Sequence, residues 1–376
     1  MTENQNTFFS DFKTVLTANV VVAALGYFVD IYDLLLFGIV RVSSLKGIGI
    51  PDGELLEKGV LLINSQMIGM LIGGVAWGIL GDKKGRLSVL FGSILLYSTA
   101  NIANAFITSI EAYAALRFVA GLGLAGELGA AITLVSETLP QHKRGFGTTL
   151  VASFGILGAV VAALVGDLFS WNISYLIGGA MGLGLLILRF KMHESGLFSE
   201  TSADSRIKKG NFLQLFQKSE LLFKYLRCIL IGVPVWYVVG ILITFSPELA
   251  KALNVTDPIS AGRAIMYCYA GLAVGDFASG MLSQYLKSRV RSIWVFMSLT
   301  LIMTLVYFNV WEISSTVFYM ICVGLGFGAG YWAVFATTAA EQFGTNLRAT
   351  VTTSVPNFVR GSVVLLTLLF QHFKIV

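Results

Sequence analysis

Arg360 stands in the middle of TTSVPNFVRGSVVLLTLLF (352–370), a run otherwise apolar and long enough to cross a bilayer. Asn357 lies three residues before it, on the same helical face. An amide beside the planar donor fork of a guanidinium makes a carboxylate-binding pair. Pro356 cannot donate its backbone N–H, which tends to free the carbonyl near Thr352. Asp30, Asp33, Arg117, Glu127 and Asp276 interrupt other apolar stretches. A charge at the bilayer centre costs about 2.5–3.5 kcal/mol on insertion scales, so its repeated acceptance calls for a use. Desolvation favours the neutral form of a carboxyl group, and repulsion between two neighbouring carboxylates is relieved when one holds a proton. The chemistry these residues offer is anion binding and proton uptake.

Other chemistries find no support. Cys228, Cys268 and Cys322 lie inside apolar runs without metal-ligand spacing, and His142, His193 and His372 are scattered in or beside loops. No metal, cofactor or enzymatic nucleophile–base pair is expected. GLGLAG and GLGFGAG sit inside apolar runs, where glycines permit close helix packing rather than phosphate binding. The net charge of +5 is spread between spans rather than gathered with aromatics, so nucleic acid is not an expected partner.

The elements that must hold these residues are membrane helices. The chain has 376 residues, 56% hydrophobic and 12% charged, against about 25% charged in soluble domains. Spans are expected at 15–40, 59–81, 87–107, 112–137, 146–168, 171–190, 222–246, 260–285, 292–311, 315–340 and 349–371. Residues 1–14 are polar and the first apolar run is full length, so no cleavable signal peptide is expected. With the N-terminus in the cytoplasm, eighteen Lys and Arg face inward and six outward, counting Arg189 with the inward loop and Arg41 with the outward side. Domain limits follow: residues 1–190 form a first bundle, 191–221 a cytoplasmic linker and 222–376 a second bundle of about five spans. ETLPQHKRGFGTT (137–149) and EQFGTNLRATVTT (341–353) repeat one pattern, as GILGDKKGR (78–86) and GMLSQYLKSR (280–289) do more loosely. A duplicated helical unit fits two bundles that rock about a shared cavity.

GGVAWGILGDKKGRLSVL resembles the loop signature between the second and third helices of the major facilitator superfamily, and RFVAGLGLAGELGAAITLVSETLP resembles that family's fourth helix. Within it, GYFVDIYDLLLFG and GLAGELG are similar to the metabolite–proton symporters and their organic-ion and phosphate relatives. The acid that phosphate symporters place after a tryptophan in helix seven is absent beside Trp236, and the fifth span lacks the proline of drug–proton antiporters. The resemblance implies an all-α fold of two pseudo-symmetric six-helix bundles. The family has twelve helices and this chain offers eleven, so the last is expected to be missing.

The resemblance also implies roles. Asp82, Lys83 and Arg86 would form a conformational gate with Arg117, Glu137, Arg144, Glu341 and Arg348. Arg360 would bind an anionic group of the substrate or else pair with an acid to lock helices. Asn357, Gln66, Trp236 and Tyr331, with Tyr237 and Trp332, are candidates for the cavity wall. Glu127, Asp30 or Asp33 would carry the proton, Glu127 being the first choice. Asp276 fits either the site or a helix–helix hydrogen bond. The expected function is secondary active transport by alternating access, in the form of proton-coupled symport of a small organic anion or zwitterion by a monomer in a bacterial inner membrane. An antiporter or exporter of the same fold, or a sensor that binds without flux, are the alternatives.

Overall fold

A computed structural model describes residues 16–140, 144–190, 212, 214–343 and 348–372. Fourteen helices carry the argument: α1 (Ala18–Gly47), α2 (Leu55–Lys84), α3 (Arg86–Asn104), α4 (Ile110–Leu124), α5 (Glu127–Thr138), α6 (Arg144–Leu168), α7 (Trp171–Arg189), α8 (Ser219–Tyr237), α9 (Ser246–Ala252), α10 (Ala261–Tyr285), α11 (Arg289–Asn309), α12 (Ser315–Ala329), α13 (Trp332–Glu341) and α14 (Arg348–His372). Among the described residues ten helical stretches are long and apolar enough to cross a membrane. Helix α14 is less apolar and is the eleventh by length. Side-chain caps start several helices: Thr17, Ser109, Ser260, Ser288 and Ser314 each accept a first-turn N–H.

Two expected spans are broken. The fourth turns at Ala125–Gly126 between α4 and α5, and the tenth at Gly330–Tyr331 between α12 and α13. These breaks fall at equivalent places of the two repeats. The seventh span begins at Ser219, inside the stretch expected to be linker, and a π-helical segment, Val238–Ile243, follows α8. Thr244 donates its hydroxyl to the Val239 carbonyl at 2.8 Å, satisfying one acceptor there. Helix α14 runs unbroken through Pro356.

Close approach between helices depends on glycine. A Cβ on Gly121 of α4 would strike the backbone of Gln66 in α2, and one on Gly326 of α12 would strike the backbone of Cys268 in α10. These are the same contact in the two repeats. Between the bundles, α14 lies antiparallel along α2. Asp82 accepts from Thr350 N and Oγ1 at 3.0 and 2.6 Å, Gly78 meets Thr350, Gly74 meets Asn357, Gly361 meets Leu71, and Thr367 donates to Asn64 at 2.8 Å. At the opposite face Arg41 of α1 pairs with Glu248 of α9 at 2.5 Å, with its guanidinium 4.8 Å from the Phe245 ring. The bundles therefore touch at both ends. Gly121→Val and Gly326→Val should each destabilise the fold by about 1–3 kcal/mol through overpacking. The check is a lower melting temperature in detergent for both variants, with Gly184→Val, at a position open on all sides, as the unshifted control.

Candidate functional site

Arg360 is 1% exposed and reaches the seam from α14. Its Nη2 lies 4.0 Å from Asp30 Oδ2, its Nη1 donates to Asn357 Oδ1 at 3.5 Å, and its guanidinium carbon sits 5.6 Å from the Trp236 ring centre. None of these contacts is tight. Asn357 is held from behind: its amide donates to Ala125 O at 2.8 Å and to Thr353 O at 2.7 Å. Ala125 belongs to the break in the fourth span, so the break supplies the acceptor that orients the arginine's neighbour. Asp30 and Asp33 are fully buried, and among the described residues Asp30 makes no hydrogen bond.

A cavity of about 30 Å³ lies beside Arg360, lined by Tyr27, Trp236, Tyr269, Asp276 and Trp332 among others. A second of about 20 Å³, which shares Trp236 in its wall, is lined by Gln66, Phe37 and Thr244 among others. Each has room for a water or two and no more.

Glu127 is arranged differently. Both its oxygens meet Arg189: one at 3.1 Å from Nη1, the other against Nη2. Arg189 also donates to Leu90 O at 2.5 Å. Gly26 of α1 leaves room for the pair, since a Cβ there would strike both side chains. Arg189, counted from sequence with the loop cations, is fully buried. The sequence signal that could have found it is its place as the last helical residue after a long apolar run, within one side chain's reach of the interior. Arg41, counted on the outward side, is likewise fully buried.

The remaining candidates separate by position. Arg117 donates to Gln66 Oε1 at 2.5 Å and packs over the Phe37 and Tyr175 rings at 5.1 and 5.9 Å. Tyr331 donates to Ile231 O at 2.8 Å and is buried away from the cavity walls described above. Trp236 lines both cavities. Arg86 joins Asp82 at 3.3 Å and Glu137 at 2.8 Å, so these three expected gate residues meet at the face where Asp82 holds Thr350. Lys83 closes the last turn of α2 and is exposed. The side chains of Arg144, Glu341 and Arg348 lie outside the described residues. Asp276 Oδ1 accepts from Ala333 N at 3.1 Å and so does make a helix–helix bond, while also lining the cavity. Tyr27 and Tyr269 belong to that wall too; nothing in their spacing distinguished them from packing aromatics.

The sequence pattern of the Major Facilitator Superfamily matches residues 16–366. The chain belongs to this superfamily. It is an integral, multi-pass membrane protein of that fold. The niacin transporter of Acinetobacter baylyi is 36% identical over 178 residues, which is 46% of this chain and 40% of that protein. The 4-hydroxybenzoate transporter of Pseudomonas aeruginosa is 31% identical over 176 residues, 46% of this chain and 38% of that protein. The matched stretch thus spans less than half the length of either relative. The xylose transporter of E. coli, in a partially occluded inward-open conformation, superposes with a TM-score of 0.67 at 15% identity, covering 96% of this chain and 99% of that one, which fixes the fold alone.

In the superfamily's frame, the Glu127–Arg189 pair joins two helices of the N-terminal bundle. Removing one partner of a buried ion pair costs about 3–5 kcal/mol, whereas replacing both with apolar groups is often neutral. Glu127→Gln should therefore lower the melting temperature in detergent, and Glu127→Leu/Arg189→Met should recover most of the loss. Equal losses in the two variants would remove the pair from the support of the fold.

Proposed function

We propose that this chain is a secondary active transporter that carries a small organic acid together with a proton by alternating access. The observation that carries the proposal is Arg360, buried at the seam, where among the described residues Asp30 is the one acid within ion-pair distance, 4.0 Å away and free of other partners. A buried guanidinium needs a counter-charge. With no substrate, Asp30 supplies it. An incoming carboxylate forms the bidentate, charge-assisted contact that guanidinium favours and takes Asp30's place. Asp30 then stands desolvated without its counter-charge and takes up a proton. Substrate and proton enter together because they share one arginine.

Asp30 suits this task better than Glu127, because a proton carrier must exchange partners and Glu127 is held on both oxygens by Arg189. Asp33 is the other fully buried carboxylate on that face of α1, and Asn357 orients the arginine. The relatives that transport niacin and 4-hydroxybenzoate support a carboxylate as the cargo, and the aromatic cavity wall suits a flat ring. Asp82, Arg86 and Glu137 close one face around Thr350, and Arg41 with Glu248 closes the other. Residues 1–190 and the stretch from Ser219 onward are the two rocking bodies. The setting is a bacterial inner membrane with the N-terminus in the cytoplasm. The working unit is a monomer that needs the coupling proton and no other cofactor.

Proteoliposomes test this. An imposed inward proton gradient should drive accumulation of a carboxylate such as nicotinate. Asp30→Asn should abolish that accumulation yet retain counterflow exchange of the same acid. Arg360→Lys should weaken binding about tenfold or more, since the charge stays while the fork is lost. Accumulation driven only by the reversed gradient would make the protein an antiporter. Binding without flux would make it a sensor.

A further inference from the structure

The exchange between Asp30 and Arg360 leaves Asp276 without a task. This acid enters the same cavity from α10, beside Tyr27, Tyr269 and Trp332. Its Oδ1 accepts Ala333 N at 3.1 Å, where the tenth span restarts after its break. Gly330 packs against the backbone of Gly275 and Asp276, which sets the acid beside that break. Capping a helix start needs one acceptor oxygen and no net charge, and Asn, Ser or Thr would serve. Among the described residues no Lys, Arg or His lies within ion-pair distance of Asp276.

Charge balance gives the acid a use. The cavity wall carries one cation, Arg360, and one acid, Asp276, while Asp30 approaches Arg360 from outside that wall. Once a substrate carboxylate occupies Arg360 and Asp30 holds the proton, Asp276 is the acid of this wall that no cation faces. A substrate that brings a positive group would neutralise it. The neighbouring rings add to this, because the faces of Trp and Tyr attract cations, most strongly where water is excluded.

We propose that Asp276, with the rings of Tyr27, Tyr269 and Trp332, forms a second subsite that binds a cationic nitrogen. The substrate class is then a zwitterion, with its carboxylate on Arg360 and a protonated or quaternary nitrogen on Asp276. This rests on Arg360 as the carboxylate anchor, and the test keeps the two apart.

The purified full chain is titrated with benzoate and with para-aminomethylbenzoate, which share the ring and the carboxylate and differ in the ammonium. The wild type should favour the ammonium-bearing acid by about tenfold, a measurement that needs no variant. Asp276→Asn keeps an acceptor for Ala333 N and should bring the ratio of the two affinities to about one. Equal affinities in the wild type would overturn the subsite. So would a variant that loses affinity for both acids by the same factor, leaving Asp276 as a helix cap. If Arg360→Lys binds both acids as tightly as the wild type, the anchor falls while the ratio still reports on Asp276. Binding of neither acid to the wild type overturns both.

Discussion

A charge buried within a bilayer-spanning fold has to find an opposite charge, and the quality of that match decides what the residue can do. Among the described residues four arginines are fully buried or nearly so at 0–1% exposure: Arg41, Arg117, Arg189 and Arg360. Arg189 is matched on both oxygens of Glu127, and Arg41 meets Glu248 at 2.5 Å. Such pairs fix helices, because separating them leaves an uncompensated ion in a medium that solvates it poorly. Arg117 meets the neutral amide of Gln66 and two rings instead, and Arg360 has an acid but holds it loosely. Its acid stands 4.0 Å away and its amide neighbour 3.5 Å away. A loose pair satisfies the charge without consuming the full strength of a bidentate contact, so a better-fitting carboxylate can displace it.

The same constraint explains where backbone order gives way. A helix break inside a membrane protein exposes N–H and C=O groups that need partners. The two breaks described above find theirs in side chains of the cavity region. Ala125 O accepts from Asn357, and Ala333 N donates to Asp276. The breaks thus tie the fourth and tenth spans to the residues around Arg360. The glycine contacts do complementary work. Those at Gly121 and Gly326 bring backbones together within each bundle, and those at Gly74, Gly78 and Gly361 let α2 and α14 lie against each other across the seam.

Much of this was legible in the sequence. Helices appear wherever apolar runs of span length occur, since period and length are local properties. The family followed from the glycine-rich and basic signatures. Arg360 and Asp30 stood out because a charge in an apolar run is rare. What stayed hidden was pairing. Glu127 and Arg189 are 62 residues apart and Arg41 and Glu248 are 207 apart, and no local pattern encodes such partners. Arg189 was misplaced for a physical reason: loop-flanking arginines usually reach outward to headgroups and water, whereas this one turns inward to a carboxylate that only the folded bundle brings near. The breaks at Ala125–Gly126 and Gly330–Tyr331 were hidden for a related reason. Their apolar periodicity continues across the turn, and the groups that satisfy the freed backbone come from other helices.

The two halves divide the proposed labour unevenly although they descend from one pattern. The carboxylates Asp30, Asp33 and Glu127 lie in α1 and α5, in the first half. Arg360, Asp276 and the rings of Trp236, Tyr269 and Trp332 lie in the second. Helix α1 runs as 30 uninterrupted residues, while its counterpart α8 gives way to the π segment at Val238–Ile243, next to Trp236. A rigid helix suits a titrating group whose depth must not vary, and a locally loosened one suits a wall that has to adjust around a ligand. The halves meet electrostatically at Asp30 and Arg360. In the proposed cycle, motion of one bundle against the other changes the distance between these two groups, and with it the ease of adding a proton to one and an anion to the other. Coupling in that cycle needs no relay through the protein, because the proposed proton residue and the proposed substrate residue lie on opposite sides of the seam.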